Sequence, residues 1–216
     1  MLDDTYLVTS MRERFVKLST DFAFNFDVDK IISEFDGDRV DPTATSETNH
    51  KIYRDPSGVP HWQYFSGSNI RFARNFVGNY YRQCVSIAKQ LTDIQNQIKK
   101  NGNISNSLIE YFLSHTINAD NVGLIKQQSG VIVKPHIDYS RTISLNIGLK
   151  NSNTATTYVS GTSDVKNFES LDLESYTMND GDVYLLRTQF SHSVKSLMTA
   201  EDNLDRYIVT YSLVAP

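Results

Sequence analysis

Residues 130–138 read GVIVKPHID and residues 141–149 read RTISLNIGL. Both runs are short, rich in β-branched residues and bounded by turn formers, which is how strands are written in a sequence. The same texture extends to either side. VGLIKQQ (122–128) precedes them, and TATTYVS (154–160), ESYTM (174–178), GDVYLLRT (181–188), HSVKSL (192–197) and RYIVTYSLV (206–214) follow, separated by KNSN, SGTSD and NDGD. Parallel strands need long crossovers, usually helices, between them. Many short strands joined by turns instead fit a sandwich, jelly roll or barrel.

The first half of the chain is written differently. In FDVDKIISEFDGD (26–38), Asp27 can cap a short helix that places Val28, Ile31, Ile32 and Phe35 on one face, with Gly37 as its stop. From Tyr80 to Lys100, Tyr81, Cys84, Val85, Ala88, Leu91, Ile94 and Ile98 recur at helical spacing, and Lys99, Lys100 and Gly102 close the run. A shorter helix over residues 105–115 can turn Leu108, Tyr111 and Phe112 to the same core. Between Val40 and Asn69 the text is polar and turn-rich, and reads as a long excursion rather than regular elements. The expectation is a mainly β protein with flanking α, forming a single domain over residues 1–216. Within it, 1–120 gives helical, loop-rich support and 121–216 the β core.

Composition narrows the function classes. A formal net charge of −4 without a cluster of Lys and Arg lacks the electrostatic footprint of a nucleic-acid binder. No apolar run is long enough to span a bilayer, and MLDDTYLVTS lacks the basic and apolar regions of a secretion signal. A cytoplasmic protein without a membrane or nucleic-acid partner is expected, acting on a small molecule or peptide. Cys84, the one cysteine, lies in an apolar helical stripe and reads as a small buried hydrophobe.

The chemistry sits in HID. His136 and Asp138 are two apart in a strand-like run, so a period of two puts an imidazole and a carboxylate on one face, able to chelate one ion. Alone this pair is weak, since a histidine beside a strand is usually a hydrogen-bonded core or surface residue. His192, just after GDVYLLRT, supplies a third ligand from a distant strand end. Two histidines and one carboxylate make a facial triad that leaves three octahedral sites open, which suits iron(II). Arg206, opening the last strand, has the planar fork that grips a carboxylate in bidentate fashion.

HxD, a distal His preceded by a Gly-Asp-Val strand, and an Arg on the next strand resemble the 2-oxoglutarate/iron(II)-dependent dioxygenases over roughly Gly123 to Leu213. Within that superfamily the pattern is most similar to the aspartyl/asparaginyl hydroxylase and prolyl hydroxylase-like branches. The resemblance implies a double-stranded β-helix, a cupin-like jelly roll buttressed by N-terminal helices. It implies a catalytic centre of His136, Asp138 and His192 binding Fe(II), and Arg206 on the distal carboxylate of 2-oxoglutarate. Asn146 would face the cosubstrate, and O₂ would complete the reaction, by default a hydroxylation of an amino-acid side chain in a peptide or of a small molecule.

The sequence departs from the family at two places. A tyrosine often found before the motif's glycine is Gln127 here, and the Ser or Thr often two residues after the arginine is Ile208. Thr210, Asn146 or Gln127 are the candidates to complete the grip. Arg141 and Arg187 are rival carboxylate binders or substrate contacts. His50, His61 and His115 lack a carboxylate partner at ligand spacing and read as structural or surface residues, and Trp62 and Tyr64 read as core rather than a substrate wall. Specificity is expected in loops such as Val40–Asn69 and Gly161–Phe168. Two other readings stay open, a non-catalytic jelly-roll binding module and a zinc hydrolase built on the same three ligands.

Overall fold

A computed structural model describes residues 13–18, 25–36, 68–72, 79–102, 106–138 and 141–216. The elements are β1 (Phe15–Leu18), α1 (Val28–Asp36), β2 (Ser68–Phe72), α2 (Asn79–Asn101), α3 (Ser107–Ser114) and β3 (Thr116–Gln127). They continue with β4 (Ile132–His136), β5 (Ile143–Lys150), β6 (Ala155–Ser160), β7 (Leu173–Thr177), β8 (Val183–Arg187), β9 (His192–Ser196) and β10 (Arg206–Val214). The strands form two antiparallel sheets, a six-stranded one in the order β1-β8-β5-β10-β3-β2 and a four-stranded one in the order β4-β9-β6-β7. Strands β3 to β10 pass back and forth between the sheets in the jelly-roll pattern, with β6 and β7 a hairpin within one sheet, which carries distant segments to the same place.

The expected helices form where the pattern put them. Asp27 Oδ1 accepts the Lys30 N–H at 3.1 Å and caps α1, while Asn106 caps α3 by accepting from Leu108 and Ile109. Gly102, at φ +71°, ends α2 in the left-handed region that favours glycine. The buried face of α2 runs through Cys84, Ile87, Ala88, Leu91 and Ile94, with Val85 only half-buried, so the stripe is rotated slightly from the expected one. Three strands enlarge the β part, β1 among them. β3 starts at Thr116, ahead of the expected run, and Ser68 and Asn69, at the end of the expected excursion, open β2. The rest of that excursion, with Gly37, His50, His61, Trp62 and Tyr64, lies outside the described residues, as does the side chain of Phe35.

Alternation along each strand divides the interior in two. On β10, Tyr207, Val209, Tyr211 and Leu213 pack with Leu145, Ile147 and Leu124 against α2 and α3 in one core. The opposite face of β10 sends Ile208 into a second core between the sheets, with Val159, Tyr176, Met178, Tyr184 and Leu186. Tyr211 donates its hydroxyl to the Cys84 carbonyl at 2.9 Å and ties α2 to the sheet. Among the described residues no helix is long and apolar enough to cross a membrane.

Candidate metal centre

His136 ends β4 and His192 begins β9, and the two are direct partners in the antiparallel ladder. Their rings lie 4.2 Å apart between centroids. A carbonyl oxygen can only accept a hydrogen bond, so the backbone fixes the tautomer of each ring. His136 Nδ1 donates to Lys134 O at 2.8 Å and His192 Nδ1 donates to Phe190 O at 2.9 Å. In neutral imidazoles this puts both lone pairs on Nε2. Burial pushes the His192 pKa below its ordinary value, which keeps the ring neutral and able to ligate.

Asp138 completes the group by a route that strand periodicity does not describe. β4 stops at His136, and Asp138 is held beyond it by its own N–H, which donates to Thr188 O at 2.9 Å. Oδ1 lies 3.8 Å from His136 Nε2, and Oδ2 accepts Arg141 Nε at 2.7 Å. Burial alone would push the Asp138 pKa up. The Arg141 charge, the two imidazoles and the Arg141 hydrogen bond outweigh it, holding the carboxyl well below the usual carboxylate range. Among the described residues, His136, Asp138 and His192 are the group of His, Cys and acidic side chains placed to hold one metal ion. Their donor atoms all lie within 4.8 Å of one another. Two lone pairs aimed by the backbone and an ionised carboxylate fit an iron(II) ion with sites left open.

A second polar cluster lies at the other end of the space between the sheets. Arg206 shows 5% exposure and faces the same interior as Ile208. Its Nη1 donates to Gln127 Oε1 at 3.1 Å and its Nε to Ser152 O at 3.3 Å. Burial lowers its pKa to about 10, so it is a cation at neutral pH. No carboxylate among the described residues pairs with it. Beside it stands the Tyr176 phenol, pushed up to about 12 by burial and hydrogen-bonded by Thr157 and Asn146. The Ser152 hydroxyl is buried and has no hydrogen-bond partner among the described residues. That corner is closely packed, and only a glycine fits at 148, because a Cβ there would lie 2.5 Å from both Ser152 Oγ and Asn179 O.

The remaining candidates fall elsewhere. Asn146 is buried in the barrel, donating to Ser144 Oγ at 3.1 Å as well as contacting Tyr176. Thr210 accepts Arg141 Nη1 at 2.7 Å, so it serves the metal end rather than Arg206. Arg187 is buried with its guanidinium 4.1 Å from the Phe190 ring centre. His115 is buried and stacked on Tyr111 at 3.6 Å, a structural histidine as its spacing suggested. Sequence reasoning missed Thr188, Ser152 and Tyr176. Of these only Tyr176 carried a signal, being the alternate residue in ESYTM that must face the interior.

No family model and no curated protein matches the chain by sequence. By structure it is similar to the non-haem α-ketoglutarate-dependent epimerase SnoN from nogalamycin biosynthesis, with a TM-score of 0.53 at 8% identity over 99% of this chain and 84% of that one. It is also similar to a Pseudomonas putida prolyl-4-hydroxylase, with a TM-score of 0.52 at 10% identity over 97% and 99% of the two chains. A third is HygX from Streptomyces hygroscopicus, solved with nickel, 2-oxoglutarate and hygromycin B bound, with a TM-score of 0.50 at 11% identity over 100% and 87%. At these identities the likeness carries the fold. The chain therefore has the jelly-roll fold found in 2-oxoglutarate/iron(II)-dependent dioxygenases.

Proposed function

We propose that the protein is an iron(II)- and 2-oxoglutarate-dependent oxygenase that hydroxylates a C–H bond of a small molecule or an amino-acid side chain. His136, Asp138 and His192 hold the metal and Arg206 holds the far carboxylate of 2-oxoglutarate. The observation that carries this reading is Arg206, a buried cation between the sheets with no carboxylate partner among the described residues. Burying a charge costs several kcal/mol unless it is paired, so a site of this kind calls for an anionic ligand.

Iron(II) and 2-oxoglutarate, when bound, would activate O₂ as the oxidant, with 2-oxoglutarate giving up two electrons and leaving as succinate and CO₂. The chain's own groups do the rest. The two carbonyl-anchored imidazoles and the Asp138 carboxylate fix three donors and leave the opposite side open. Arg206 supplies a planar fork. The Tyr176 phenol stays protonated, and the Ser152 hydroxyl can donate, so both stand in for the Ser or Thr replaced by Ile208. Apolar walls from Val159, Leu186 and Ile208 exclude water around that end.

Arg206 also separates this reading from the others, since neither a zinc hydrolase nor a non-catalytic module needs a buried carboxylate receptor. The whole chain acting as one catalytic unit in a reducing, cytoplasmic setting accords with its single buried thiol. The test is succinate release from 2-oxoglutarate after anaerobic loading with iron(II) and exposure to O₂. Wild type should turn over slowly even without its prime substrate, and Asp138→Ala should release none. Equal release by both places the activity elsewhere.

A further inference from the structure

We propose that Arg141 is a positioning residue, which holds Asp138 to ligation through one oxygen and so keeps the opposite side of the metal open. The inference rests on the reading that His136, Asp138 and His192 bind a metal, and concerns a residue that reading does not need as a ligand.

The geometry divides the two carboxylate oxygens. Oδ2 is taken by Arg141 Nε at 2.7 Å, and Oδ1 is the oxygen turned to His136 Nε2, at 3.8 Å. The guanidinium is itself anchored, because Nη1 donates to Thr210 Oγ1 on β10 at 2.7 Å. Its backbone is anchored as well. Thr188 Oγ1 donates to Arg141 O at 2.7 Å, and Thr188 N–H donates to Thr142 O at 3.0 Å. Thr188 O in turn accepts the Asp138 N–H, so a single buried threonine fixes both members of the pair.

A carboxylate whose second oxygen is held in a planar, charge-assisted bond cannot rotate to chelate the metal with both oxygens. Bidentate ligation would fill a fourth octahedral position and leave two, one fewer than a chelating oxo acid and O₂ need together. The same guanidinium repels a cation at the site, so charge and positioning act with opposite signs. That opposition makes the role measurable.

The experiment titrates Co(II) anaerobically into the full chain as wild type, Arg141→Ala, Arg141→Lys and Thr210→Val. It records affinity, the visible absorption of bound Co(II), and the melting of each metal-free protein. Losing a group that orients a ligand weakens metal binding about 10- to 100-fold. Arg141→Ala should show that loss with an altered Co(II) spectrum and near-wild-type metal-free melting. Arg141→Lys should restore little, since a point charge lacks the fork, and Thr210→Val should fall between. If Arg141→Ala binds Co(II) as tightly as wild type or more so, with the same spectrum, Arg141 acts only as a repelling charge and the proposal is overturned. Should Arg141→Ala fail to fold, the other two variants decide: the spectral change supports positioning, and wild-type affinity and spectrum in both overturn it. Wild type that binds no Co(II) removes the metal reading itself, a different result from either.

Discussion

Asp138 is the one anionic donor of the triad, and its carboxyl is ionised at any pH near neutrality. Replacing it with alanine should abolish metal binding, read by calorimetric titration, while leaving the His136–His192 ladder in place. Arg206 makes a separate contribution at the far end of the barrel. A hydrogen bond to a charged group is worth roughly 1.5–3 kcal/mol, so Arg206→Ala should weaken 2-oxoglutarate binding by about 10- to 150-fold with metal affinity unchanged. Arg206→Lys should recover only part, and loss of metal binding in either variant would mark the arginine as structural. At this scale the sequence was informative where chemistry constrains identity. Two histidines, an aspartate and an arginine can be read in order because few other residues do their work. Ser152 was invisible, since its position depends on Asn151 adopting φ +52° and on Asp180 receiving the turn's N–H groups. Thr188 was invisible for a similar reason, as a threonine after a strand carries no mark of the three hydrogen bonds it makes.

Among the elements, β5 is the strand on which the site's volume depends. Ile143, Leu145 and Ile147 fill the helix-side core, and the intervening Ser144, Asn146 and Gly148 face the barrel. Gly148→Ala would push a methyl group against Asn179 O and Ser152 Oγ, both 2.5 Å from the ideal Cβ. Overpacking of this kind costs about 1–3 kcal/mol. Denaturant unfolding should show that loss, and 2-oxoglutarate binding should weaken with it. Leu91→Ala on α2 is the contrasting case. Leu91 is fully buried against the sheet, so its truncation should cost about 2–5 kcal/mol while cosubstrate affinity in the folded fraction stays unchanged. The helices were legible because a 3.6-residue period survives local irregularity, and most strands because turn formers frame them. The placement of Asp138 was not. Periodicity assigned it to β4, whereas the strand ends two residues earlier and a hydrogen bond from another segment sets the position.

Over the whole molecule, the two polar ends of the barrel carry opposite electrostatic demands. Arg206 is charged and desolvated, so 2-oxoglutarate should stabilise the metal-loaded protein in proportion to its occupancy, raising the melting temperature of wild type at concentrations that leave Arg206→Ala largely unoccupied and little changed. The Tyr176 phenol, pushed from 10.0 to about 12, is held neutral by the fold. Its contribution is complete below its ordinary value and is lost as pH rises from about 10 to 12, because the unfolded chain gives up the proton first. Tyr184 and Tyr211 are shifted upward by burial too. Stability measured by urea unfolding should therefore fall across that window, and Tyr176→Phe should flatten part of the fall. Strand count and spacing left a sandwich, jelly roll or barrel, and the order of His136, Asp138, His192 and Arg206 pointed through the family resemblance to the jelly roll, whereas the partnership of Arg206 with Tyr176 depends on how two sheets face each other. On the proposed function the two ends are joined by one molecule of 2-oxoglutarate, which would span from the metal to Arg206. The most direct measurement is a crystal structure of the protein loaded anaerobically with iron(II) and 2-oxoglutarate. Iron is expected on His136 Nε2, His192 Nε2 and Asp138 Oδ1, with the far carboxylate on the Arg206 guanidinium. Iron bound away from these three residues, or a cosubstrate whose far carboxylate is held by another cation, would contradict it.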